Sequence, residues 1–198
     1  MLILWTALAF ATPEPEIPAL GHTPVASELP PPPLPALPDQ ELQRLAESRW
    51  QTERTGMKVL LGWSVANLAA GTTGALTLQD PRQRAFMGGN AAWNVVNLGL
   101  AGASLIGGRH PGRFEHPEVL RQAYQLERTL LFNTGLDVAY MVAGWALIER
   151  GLRRDQPMLQ GFGDALLVQG GFLFGFDLAL LLVHNRWTRR LKGRAKPK

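Results

Sequence analysis

Residues 162–183 read FGDALLVQGGFLFGFDLALLLV, a run of 22 residues with no Lys or Arg. As a helix it is about 33 Å long, enough for a hydrocarbon core of about 30 Å. A soluble helix of that length carries a charged face, and this one has none. Three further runs of the same kind lie upstream, at about 57–78, 85–106 and 130–148, and none carries a Lys or Arg past its first turn. Asp80-Pro81 breaks the first from the second, Gly107-Gly108 closes the second, and Gly151 and Pro157 separate the third from the fourth. The fold class that follows is all-α, a four-helix transmembrane bundle in up-down order. The alternative, buried helices of a soluble all-α domain, draws on the Asn, Gly and Thr content of the first two runs and fails on length and on the missing charged face.

The ends of the chain differ from its middle. Leu2 to Phe10 is a short apolar run followed by Ala9-Phe10-Ala11, so residues 1–11 read as a signal peptide. Residues 12–38 are proline-rich, ending in Pro30 to Pro33, and form a spacer that cannot pack a core. The membrane domain then occupies 39–185. Asp39 and Glu41 suit the first turn of a helix that runs through Leu42, Leu45 and Trp50 into the first span. Pro117 and Glu118 similarly start a helix ahead of the third span. Helices 1 and 3 therefore extend beyond the membrane on one side. A basic tail, 186–198, ends the chain. These polar ends explain why 198 residues with 46% hydrophobic and 18% charged positions average to a mean hydropathy near zero.

The polar residues inside the spans are patterned. Asn90, Asn94 and Asn97 fall at i, i+4 and i+7 and share one helical face. Asn133, Asp137 and Tyr140 repeat that spacing in the third span. Asn67 with Gly71 marks the first, and Asp177 shares a face with Gly170 and His184 in the fourth. In an up-down bundle Asp137 and Asp177 both lie about 10 Å from the same membrane surface, with Asn67 and Asn97 a few ångströms deeper. Carboxyls at that depth cost free energy unless they face the interior and find donors. Two readings follow. The polar layer packs helix against helix, with Gly171 and Gly175 allowing close approach, or the two carboxyls handle a proton or a hard cation.

Other chemistry is thin. With no cysteine, disulfides, thiolate metal sites and Cys nucleophiles are excluded. His110 and His116 lack zinc spacing, Ser64 and Ser104 lack a local His-Asp partner, and no phosphate loop or nucleophile elbow is present. The expectation is no catalytic residue, no metal centre and no cofactor. The net charge of +4 and pI near 10 come without a basic-aromatic motif, which argues against nucleic acid. The lipid bilayer is the expected partner, with a proton or hard cation as the candidate ligand, and no protein partner is legible. Trp50 and Trp187 flank the spans and suit the interface.

At Arg54-Thr-Gly-Met57, Gly62-Trp63 with Asn67 and Gly71, Trp93-Asn94-Val-Val-Asn97-Leu-Gly, Leu131-Phe-Asn133-Thr-Gly-Leu-Asp137-Val-Ala-Tyr140 and Gln169-Gly-Gly-Phe-Leu-Phe-Gly-Phe-Asp177, the chain resembles a bacterial family of small uncharacterised multi-pass membrane proteins, often with a signal peptide. The likeness covers about residues 44–186 and departs where Phe86 is followed by Met87 rather than by His. It implies a bacterial inner-membrane protein and brings no activity. A leader cleaved on export would leave both termini in the periplasm. The charge points the other way, because 15 of the 20 basic residues lie on the side of the termini and positive charge ordinarily stays cytoplasmic. Functionally the sequence supports a structural or accessory bundle first, a small transporter, channel or binding protein using Asp137 and Asp177 second, and a membrane enzyme third.

Overall fold

The computed structural model describes residues 39–108, 110 and 112–193, so the expected leader and proline-rich spacer lie outside the described residues. Four helices follow one another: α1 (Asp39–Thr77), α2 (Pro81–Gly107), α3 (His116–Arg153) and α4 (Pro157–Gly193). The breaks have local causes. Asp80 accepts a hydrogen bond from the Gln83 N–H at 2.8 Å, and Pro81 begins α2 where a missing N–H costs nothing. Asp155 turns the chain between α3 and α4 at φ 49°, a left-handed conformation that Asp tolerates, and Pro157 starts α4.

Side-chain distribution is inverted relative to a soluble bundle. Among the buried residues are Ser64, Asn90, Asn94, Asn97, Asn133, Asp137, Gln169 and Asp177, while Val59, Val65, Val95, Phe132, Val142, Trp145 and Leu182 are exposed. In the most apolar stretches of α1 and α3 only 17% of residues are buried within the protein, and in α4 28%. Apolar side chains turned outward need an apolar solvent. By length and composition α1, α3 and α4 are each able to cross a membrane. α2 has the length, but its three asparagines and its glycines lower its hydropathy, and those asparagines are all turned inward. It lies antiparallel beside the second part of α1: Arg84 Nε donates to the Ala75 carbonyl at 3.3 Å, and Arg54 Nη1 to the Gly108 carbonyl at 2.9 Å.

Successive helices are antiparallel, as expected, but the bundle is not a closed square. α3 packs along α4, α1 along α2, and α2 along α4, whereas α1 meets α4 mainly through side chains. The central pair is parallel: Gly161 meets Arg82 and Ala85, Gly89 meets Ala165, and Gln169 bonds Asn90. Glycine sets these approaches. A Cβ on Gly144 would stand 2.8 Å from the Gly163 carbonyl oxygen, and one on Gly163 2.5 Å from that of Gly144. Gly171 and Gly175, which the sequence suggested as close-packing residues, instead have nothing within 4 Å and face outward.

The end carrying residues 39 and 193, here termed the basal end, has its own core of Leu42, Ala46, Phe114, Val119 and Trp187. α4 thus continues beyond 185, where the sequence placed a polar tail. Arg186 and Arg189 lie exposed on one face while His184, Trp187 and Thr188 carry the inner face onward, so the basic residues masked an amphipathic helix. Trp187 is accordingly a core residue and not an interface anchor. Arg113 pairs with Asp39 at 2.7 Å and His110 with Glu47 at 2.5 Å, fastening the loop to α1. The His110 hydrogen bond, with Gln51 assisting, holds the Glu47 carboxyl below its usual range.

Candidate functional site

The stripes of α2, α3 and the inner face of α4 converge on a cavity of about 50 Å³. Asn97, Asn133, Asp137, Tyr140 and Asp177 supply its polar lining, and Trp93, Val96, Leu100, Leu136 and Leu173 its apolar lining. The volume accommodates a few water-sized groups. Asp137 is 3% exposed and Asp177 4%. The Asn133 side chain hydrogen-bonds Asp177, and Asp137 and Asp177 line the same cavity. Oδ2 of Asp137 is buried without a hydrogen-bond partner. Tyr140 packs edge-to-face on Trp93 at 4.7 Å between ring centres, which joins α3 to α2 on the cavity wall.

The other predicted residues separate from this group. Asn94 is fully buried beside the cavity and donates through Nδ2 to the Asn90 carbonyl at 2.8 Å, while Asn97 Nδ2 reaches Asn94 Oδ1 at 3.5 Å. Asn90 belongs to a different network. Trp63 Nε1 donates to Gln169 Oε1 at 3.2 Å, and Gln169 Nε2 donates to Asn90 Oδ1 at 2.6 Å, tying α1, α4 and α2 together. Asn67 joins neither. It is half-buried and bonds the Trp63 carbonyl of its own helix at 3.0 Å, because Gly71, one turn on, presses against Met87 and Ala91 of α2 rather than toward α3. The layer expected to draw on four helices therefore draws on three.

Gln169 and Trp93 were not singled out from sequence. Gln169, Leu173 and Asp177 fall at i, i+4 and i+8 on one buried face, a spacing that signals Gln169 as strongly as it does Asp177. Its amide holds two partners at once. Replacing Gln169 by Leu leaves the Trp63 N–H and Asn90 Oδ1 unpaired, and the expected cost is about 1–3 kcal/mol. A lowered melting temperature in detergent, with a changed Trp63 emission, would register it.

A second buried polar group lies at the basal end. Arg49, 5% exposed, donates through Nη2 to Gln122 Oε1 and stands 3.5 Å from Glu53 Oε1. His184 Nε2 contacts the Ala123 carbonyl at 2.9 Å, which fixes that nitrogen as the donor. Arg49 Nε, Glu53 Oε1 and His184 Nδ1 are buried there without hydrogen-bond partners. Among the described residues no group of three or more His, Cys, Asp or Glu side chains is arranged to hold a metal ion.

No curated protein and no solved structure matches the chain. A protein-family model does match it, over residues 59–178, which takes in both carboxyls, all five polar lining residues and the Trp63–Gln169–Asn90 network. Since that match spans more than half of the 198 residues, the chain belongs to the family of unknown function DUF6992.

Proposed function

We propose that this protein is a multi-pass protein of a bacterial inner membrane whose buried carboxyl pair, Asp137 and Asp177, takes up a proton or a small cation. The observation that carries the reading is the unpartnered Asp137 Oδ2, buried beside a second carboxyl on the wall of a cavity. Packing alone gives no reason for it. A carboxyl that only joins helices is bonded to a donor on the neighbour, as Gln169 is to Asn90, whereas Asp137 leaves an acceptor free in a low-dielectric setting. Two neighbouring carboxyls without a basic residue on the cavity wall are stabilised by a proton or a cation.

Asp137→Asn in purified full-length protein tests this. The expected result is a folded helical protein that has lost one titrating group or saturable cation binding. Unchanged proton uptake and cation response in a well-folded variant would refute the reading. The second reading, a structural or accessory bundle, rests on the Trp63–Gln169–Asn90 network, where each polar contact joins two helices. It expects Asp137→Leu to be tolerated, since an apolar side chain of similar volume replaces an unsatisfied one. Both termini are placed in the periplasm in this proposal, and reporter fusions at residue 198 would test the side.

A further inference from the structure

We infer that the cavity between α2, α3 and α4 is built for an ammonium-type cation, the ammonium ion or a small primary amine, rather than for a metal ion; this rests on the carboxyl-site reading above. The lining is the argument. Each of the two cavity amides has one N–H engaged, Asn97 with Asn94 Oδ1 at 3.5 Å and Asn133 with Asp177 on the cavity wall itself. Their oxygens remain, and with Asp137 and Asp177 the site offers acceptors. A ligand that satisfies it must bring several N–H or O–H donors and positive charge.

The unpartnered Asp137 Oδ2 is the independent sign that a donor is missing from the protein's own set. Divalent ions fit poorly: calcium takes about 6–8 oxygens and magnesium keeps several waters, which a space of about 50 Å³ with half of its lining residues apolar does not supply. An ammonium group instead uses about four acceptors and gains from aromatic walls, and Trp93 and Tyr140 provide such a wall. Leu100, Leu136 and Leu173 complete a surface against which a methyl or methylene group on the amine loses nothing.

Full-length protein in lipid nanodiscs, titrated at matched ionic strength with ammonium, methylammonium, sodium, potassium and magnesium chlorides, reads the selectivity through its melting temperature. Ammonium and methylammonium are expected to give a saturable rise that the metal salts do not. Asp137→Asn should abolish the rise, and Trp93→Leu should weaken the affinity about tenfold while keeping it saturable. If Asp137→Asn fails to fold, Asn97→Leu, which removes an acceptor without touching charge, should still weaken ammonium. Equal or stronger stabilisation by sodium, potassium or magnesium, lost in the same variants, overturns the ammonium inference and leaves the carboxyl-site reading standing. No cation response, together with proton uptake unchanged by Asp137→Asn, overturns both.

Discussion

Gly161→Ala is expected to destabilise the bundle by about 3 kcal/mol or more, the upper range for overpacking, because nothing it meets can move aside. A Cβ there would overlap the Arg82 carbonyl oxygen and stand 2.9 Å from both the Phe86 N and the Ala85 Cβ, and the first two are backbone atoms of a helix. Relief requires α2 and α4 to separate along the line that also carries Gly89–Ala165 and Asn90–Gln169. Gly163→Ala should act similarly between α3 and α4, with its Cβ 2.5 Å from the Gly144 carbonyl oxygen and 3.0 Å from the Ile148 N. The control is Gly175→Ala, whose Cβ meets nothing within 4 Å. There helix propensity alone acts, and a gain of about 0.5–1 kcal/mol is expected. Melting temperatures of the three variants in one detergent check this. Equal losses at positions 161 and 175 would contradict the packing described.

The contrast among these glycines shows what sequence conveys in such a bundle. Periodicity places residues on a helical face, so the grouping of Asn133, Asp137 and Tyr140, and of Asn90, Asn94 and Asn97, was legible. Length and the missing basic residues gave four helices with α1 and α3 running past the spans. Which face meets which neighbour is not written in one helix's period. Gly171 and Gly175 have the spacing of a close-packed seam yet face outward, while Gly144, Gly161 and Gly163 make the crossings. Asn67 failed for the same reason, since assigning it to the carboxyl layer assumed that all four helices surround one centre. In the structure α2 and α4 occupy the centre as a parallel pair, with α1 packed along α2 and α3 along α4, and α1 meets α3 at the basal end. His184 shares the inner face of Asp177, as its spacing indicated, but Arg49 counted only among the basic residues flanking the spans, because nothing in sequence distinguishes a buried Arg with partners from an exposed one.

Arg49→Ala is expected to cost about 1.5–3 kcal/mol, the range for losing a hydrogen bond to a charged group, because Arg49 is buried while the Glu53 side chain is a third exposed. Arg49 links three elements: it lies on α1, bonds Gln122 of α3, and acts electrostatically on His184 of α4. Without it, Gln122 Oε1 loses its donor and Glu53 is left without the cation that opposes its burial. Burial already pushes the Glu53 carboxyl above its ordinary value of 4.5, with Arg49 pulling it back down. In Arg49→Ala the folded value rises further while the unfolded value stays the same, so the native state binds more protons than the unfolded state between the two. Stability of the variant should therefore fall as pH rises through the folded Glu53 value and recover as pH is lowered toward 4.5. The double replacement Arg49→Met with Glu53→Leu removes both charges and keeps most of the volume, and it should be close to neutral. Thermal unfolding of the two variants across pH separates the effects. A single variant whose defect is independent of pH would place the Arg49 contribution in packing of its methylene stem, whereas a defect that shrinks toward acid assigns it to the ion pair with Glu53.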